Sequence, residues 1–158
     1  MPESKPYRET LQMRLRAAYF ALHRYSNRHF SQFDMTADQY VLLSYLAEED
    51  GITQQELSSR CSSDPRTIGT MIDLLEGRGL VERQLHPSDR RKWQVFLTDT
   101  GRTRHAQLKE NSEGIRDLLD GALEPRELAI VQKALDQIAE VFVKSPADVE
   151  SSKRRKAS

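Results

Sequence analysis

The chain has 158 residues, 37% hydrophobic and 30% charged, with 24 Lys and Arg balanced by 24 Asp and Glu. That size and mix suit a single domain able to bury about two-thirds of the surface its unfolded chain exposes. One cysteine, Cys61, excludes an internal disulfide framework, and no paired Cys/His spacing offers a zinc site, so neither metal nor cofactor is expected.

No run approaches the roughly 18 consecutive apolar residues of a membrane span, and the opening MPESKPYRET lacks the apolar segment of a secretory signal. The expectation is a cytoplasmic protein with no membrane partner. Charge is zero in sum but segregated along the chain. Residues 34–56 hold six acids and no base, whereas residues 78–105 hold Arg78, Arg83, Arg90, Arg91, Lys92, Arg102 and Arg104 against three acids. The second stretch is a candidate basic surface for a polyanion. Residues 146–158, with Lys153-Arg154-Arg155-Lys156, read as a disordered basic tail: a DNA arm or a solvated terminus.

In chain order, residues 7–33 place Leu11, Leu15, Ala18, Tyr19, Leu22, Tyr25 and Phe30 at three- and four-residue steps, the spacing of a long amphipathic helix. Thr36-Ala37-Asp38-Gln39 is a capping box that opens a second helix to about Glu49, with Val41, Leu42, Tyr45 and Leu46 expected inside. Gly51 stops it. A second box, Thr53 to Glu56, opens a two-turn helix carrying Leu57 and reaching Cys61. After Ser62-Ser63, Asp64 caps a further helix with Pro65 at its first position, and Ile68, Met71, Ile72 and Leu75 form its buried side. Two short capped helices across a polar turn make a helix-turn-helix.

Leu80–Leu85 and Trp93–Leu97 then have strand character, joined by the polar connection His86 to Lys92, which fits a hairpin. A long helix follows from Thr98 to about Ala122, its continuity weakened by Gly101 and Gly114. Glu124-Pro125 opens a last helix with the stripe Leu128, Val131, Leu135, Ile138, Val141 and Phe142. The fold class is therefore mainly α: a winged helix-turn-helix of about six helices plus a β-hairpin wing, with a helical dimerisation region. Residues 36–98 form the winged helix-turn-helix. Residues 7–33 and 101–144 carry more apolar face than the wing can cover, which suits a homodimer.

The segment Leu74-Leu75-Glu76-Gly77-Arg78-Gly79-Leu80-Val81-Glu82-Arg83, and Pro87-Ser88-Asp89-Arg90-Arg91 followed by Val95-Phe96-Leu97-Thr98-Asp99-Thr100-Gly101-Arg102, resemble the MarR family of bacterial transcriptional regulators. The resemblance covers residues 8–143 and implies a homodimeric winged helix-turn-helix protein on pseudo-palindromic double-stranded DNA. It also implies a repressor released by a small phenolic effector or by oxidation. Arg66, Thr67, Gly69 and Thr70 are the candidate major-groove residues, Arg66 as a bidentate reader of guanine and Gly69 for close approach. Many relatives carry Ser or Thr near Gly69 and Arg near Thr70, so no operator sequence carries over.

Arg90 and Arg91 resemble the family pair of which one enters the minor groove while the neighbouring Asp holds the other; Arg90 is expected in the groove, with Asp89 and Arg91 bracing the hairpin, although the sequence leaves open which arginine does which. Lys92 and Arg83 are expected to meet phosphates. Thr53, Ser62 and Ser63 are already explained as caps and turns.

Eight of the eleven aromatic residues fall within residues 7–45. Tyr19, Tyr25 and Tyr45 are the candidates to line an effector cavity, the alternative being plain core. Cys61 supports a second reading, redox regulation with nearby Arg60 lowering the thiol pKa, against that of a buried, inert thiol. A third is a winged-helix protein-interaction module without specific DNA binding. No nucleophile, His and carboxylate constellation or phosphate-binding Gly loop supports an enzyme.

Overall fold

A computed structural model describes residues 6–143. The basic tail expected over 146–158 lies outside them, as does residue 144 of the last dimerisation segment. Helix α1 (Leu11–Phe30) follows a 3-10 turn at Tyr7–Glu9, and Thr10 caps it by accepting the Met13 N–H. Only Ser26 and Phe30 of this helix are buried; Leu11, Tyr19, Leu22 and Tyr25 remain exposed. A second 3-10 turn, Ser31–Phe33, leads to Asp34 in the left-handed conformation, φ 54°.

Helix α2 (Ala37–Glu48) begins at the complete capping box of Thr36 and Gln39. Its inner face is Leu42, Leu43 and Leu46, all fully buried, whereas Val41 is exposed and Tyr45 half-buried. Val41 and Tyr45 were both expected inside; the buried stripe is turned toward Leu43, and the side carrying Val41 and Tyr45 opens onto a cavity described below. Gly51 has φ +73° and its backbone lies against Phe96, where a β-carbon would sit 3.0 Å from the ring.

Ile52–Thr53 form strand β1, and α3 (Gln54–Arg60) follows, capped by Thr53, which accepts the Glu56 N–H. The second expected box is half made: Glu56 turns its carboxylate to Arg60 instead of to the cap. Ser62, φ 51°, makes the turn into α4 (Pro65–Gly77). There Asp64 accepts the Thr67 N–H at 2.9 Å and its hydroxyl at 2.6 Å. Those bonds hold the Asp64 carboxyl below its usual range.

Strands β2 (Val81–Leu85) and β3 (Trp93–Leu97) pair antiparallel, Val81 opposite Leu97 and Leu85 opposite Trp93. The expected hairpin is two strands of a three-stranded sheet, order β1-β3-β2, because Ile52 pairs with Val95. Val81, Val95 and Leu97 point inward, as the period-two pattern requires, while Trp93 and Leu85 carry the same face out beyond the core and are about half exposed.

Helix α5 (Asp99–Asp120) begins after Thr98, whose hydroxyl donates to the Gly79 carbonyl and accepts the Gly101 N–H. Gly101 does not interrupt the helix; it lets the helix touch the chain before it. A β-carbon at Gly101 would lie 1.9 Å from the Leu80 carbonyl oxygen. One turn on, the His105 ring stacks 5.8 Å from Tyr40 and bonds Ser44, while the Tyr40 hydroxyl bonds Ser112, tying α5 to α2. Burial lowers the His105 pKa, with Lys109 adding to it, which favours the neutral ring.

The chain divides into two compact units, Met1–Ser112 and Glu113–Ser158. Neither α5 beyond Ser112 nor helix α6 (Pro125–Val143) buries a side chain. Along α6, Ile130, Val131, Leu135, Val141 and Phe142 are exposed. Among the described residues no helix is long and apolar enough to cross a membrane.

Substituting Gly101→Ala forces the β-carbon onto backbone and is expected to destabilise the fold by at least about 2 kcal/mol, read from denaturant midpoints. Gly114→Ala, in the same helix with nothing within 4 Å of its β-carbon, should instead be neutral or stabilising by up to about 1 kcal/mol.

Candidate nucleic-acid interface

Helix α4 is stable in its place because Asp64 and Pro65 satisfy its first turn and because Ile68, Ile72 and Leu75 are fully buried. Burying that stripe fixes what the opposite side presents: Pro65, Arg66, Thr67, Thr70 and Asp73 are exposed. The threonine hydroxyls are partly spoken for, since Thr67 donates to Asp64 and Thr70 donates to the Arg66 carbonyl. What they offer outward is a methyl group and an acceptor oxygen. Gly69 is half-buried, and a β-carbon there would meet the Gln54 side chain of α3 at 3.1 Å. The close approach it permits is between the two helices of the helix-turn-helix.

Arg83, expected to meet phosphate, has its guanidinium turned inward. It pairs with Asp73 at 2.7 Å and Glu76 at 2.9 Å, and it donates to the Gly69 carbonyl and to Gln54. Its own backbone N–H donates to Glu76. A side chain only 18% exposed, facing two carboxylates, has no charge left for a polyanion. It fastens β2 to α4 instead.

Beyond this clamp the hairpin extends to its tip. Asp89 accepts the Arg91 backbone N–H and pairs with its guanidinium at 3.1 Å, and the same pairing holds the Asp89 carboxyl below its usual range. The His86 N–H donates to the Lys92 carbonyl and the Lys92 N–H to the Asp89 carbonyl, closing the loop. Arg90 and Lys92 project exposed from this braced turn.

On the side where Val41 and Tyr45 open outward, a cavity of about 440 Å³ lies between α1, α2 and the end of α3, with Tyr19, Leu22, Val41 and Tyr45 as its apolar lining. A smaller hollow of about 120 Å³ shares Tyr19, Asp38, Val41 and Cys61 with it and reaches Thr67, Ile68 and Met71 of α4. Tyr25 lines neither, because it sits six residues along α1 from Tyr19 and so on another side of the helix; it is exposed. Tyr19 and Tyr45 are thus brought together and Tyr25 is not.

Comparison with known proteins bears on the fold. The model of the MarR family matches residues 35–93. The regulator TtmR of Methylorubrum extorquens is 35% identical over 89 residues, 54% of this chain and 46% of that protein. The chain spans about half the length of the curated relatives it matches. Among solved structures, the repressor CouR bound to a 23-mer DNA duplex is 28% identical with TM-score 0.75, over 86% of this chain and 99% of that one. BpsR of Bordetella bronchiseptica, whose DNA binding is regulated by 6-hydroxynicotinic acid, is 25% identical with TM-score 0.79, over 86% and 97%.

Residues 35–93 thus match the MarR family, and the chain shares the fold of the DNA-bound repressor CouR. Within this winged helix the sequence signal missed two parts of the site. The Arg83 clamp needs Asp73 and Glu76, three residues apart on one helix face, to be read together with a strand residue. The cavity needs His23, Asn27 and Asp38 as well as aromatics: Asn27 accepts the Ala37 N–H and bonds His23, whose other ring nitrogen is 3.8 Å from Asp38.

Burial pushes the Cys61 thiol up to about 11, and the nearby Asp38 charge adds to it. Arg60 does not offset this, since Glu56 and Glu49 hold its guanidinium at 2.5 and 2.7 Å. Alkylation of Cys61 by iodoacetamide at pH 7.5 should therefore run roughly a hundredfold slower than that of a free thiol of ordinary pKa. A rate equal to that of N-acetylcysteine would restore the redox reading.

Proposed function

We propose that this chain is a sequence-specific double-stranded DNA-binding transcriptional regulator, acting as a homodimeric repressor on a pseudo-palindromic operator and released by a small molecule. The observation that carries the reading is the pairing of an exposed polar edge on α4 with a braced wing tip that leaves Arg90 unpaired among the described residues, the two joined through Arg83. Arg66, Thr67 and Thr70 lie in the major groove, Arg66 reading guanine and the threonine methyls meeting thymine. Arg90 enters the minor groove, where a narrow width concentrates negative potential. Arg91 stays on Asp89, and Lys92 meets phosphate.

The dimer follows from the exposed apolar residues of α6, which a second copy covers, and from the weakness of a single half-site. Two half-sites about 34 Å apart make the second contact intramolecular. CouR with its duplex and BpsR with its small-molecule control support the reading by likeness.

Selection of bound sequences from a random DNA pool by the full chain tests the function. A recovered inverted repeat supports it, and binding without sequence preference favours a protein-interaction module. Against the recovered site, Arg90→Ala should weaken binding by about 1–3 kcal/mol, and Arg91→Ala by less, with the dimer still folded by circular dichroism. Arg83→Met should lower affinity while leaving the slope of log K against log salt unchanged. A direct phosphate contact there would reduce that slope by about one.

A further inference from the structure

We propose that the cavity between α1 and α2 takes an organic cation with an aromatic or apolar body, not the phenolic effector that the family resemblance implies. This deepens the effector reading above and rests on it. Among the described residues of the lining, two side chains are able to carry positive charge, Arg60 and His23, and both are committed. Arg60 is held between Glu49 and Glu56, a trio whose sum is negative.

The state of His23 follows from a chain of bonds. The Ala37 N–H donates to the Asn27 side-chain oxygen at 2.8 Å, which fixes that amide so that its NH₂ faces His23 Nε2 at 3.0 Å. An amide NH₂ only donates, so Nε2 must accept, and an imidazole accepting at Nε2 is neutral with its proton on Nδ1. That Nδ1 faces Asp38 Oδ1 at 3.8 Å, beyond a good hydrogen bond.

Among the described residues the Asp38 side chain makes no hydrogen bond, and its half-exposed carboxylate stands at a wall shared by both hollows. Its field is felt inside, since it adds to the upward shift of the Cys61 thiol. A second anion placed here meets repulsion and no partner, whereas a cation meets the carboxylate together with the rings of Tyr19 and Tyr45. The volume of about 440 Å³ lies in the range of small-molecule sites. The smaller hollow continues to Thr67 and Ile68, so an occupant that extends into it reaches the base of α4.

The test is calorimetric titration of the full chain with tetraphenylphosphonium and with tetraphenylborate, near-isosteric ions of opposite charge, and with salicylate. The cation should bind at least about tenfold tighter than either anion. Asp38→Asn should remove about tenfold or more of the cation's affinity, Asp38→Glu should keep most of it, and Tyr45→Leu should cost roughly fivefold. Tighter binding of tetraphenylborate or salicylate overturns the cation assignment while the effector cavity stands. So does cation binding unaffected by Asp38→Asn. Failure of all three probes on wild-type protein overturns the cavity as an effector site, and that comparison needs no variant to fold.

Discussion

The working geometry of this winged helix depends on one guanidinium. Arg83 leaves strand β2, reaches between Asp73 and Glu76 of α4, and touches the Gly69 carbonyl and Gln54 of α3 on the way. Three elements that the chain makes separately are thereby set in one register. Arginine suits the task because its planar fork supplies several donors at fixed angles, where a lysine ammonium would serve as a point charge. Removing one partner strands the others: without Arg83 two carboxylates face each other on adjacent turns of α4. The clamp is half-screened from water, so its worth lies more in orientation than in raw stability.

The cavity shows the same economy in reverse. Some polar groups around it are satisfied among themselves: Asn27 with Ala37 and His23, Arg60 with two glutamates. The Asp38 side chain makes no hydrogen bond among the described residues, and it stands in the first turn of α2, where a negative charge is stabilised by the helix dipole. The same carboxylate thus has a structural reason to be there and a consequence for what enters. The half-buried thiol of Cys61 shares that surrounding and is kept protonated by it.

Much of the fold was legible because local chemistry and burial agree. Thr36 with Gln39, Thr53, and Asp64 before Pro65 mark helix starts that the structure realises residue for residue, and Val95 with Leu97 mark the inner face of β3. Strand β1 was not legible, since two residues, Ile52 and Thr53, have no period to display and owe their pairing to Val95 more than forty positions away. Gly101 was read as a weak point because propensity records only the missing side chain; its reason is the Leu80 carbonyl beneath it. At the candidate site, the Asp89 brace was legible through the family resemblance, which left open whether Arg90 or Arg91 makes it. The inward turn of Arg83 was not, because a basic residue in a basic stretch reads as a solvated charge until its carboxylate neighbours are seen in space.

Trp93 is the chain's single tryptophan, and it stands half-exposed at the start of β3, opposite Leu85, where the hairpin leaves the body of the protein. Indole emission is therefore a local gauge. It reports the solvent around the root of the wing, so a spectral change on adding a partner reads events there without any attached dye.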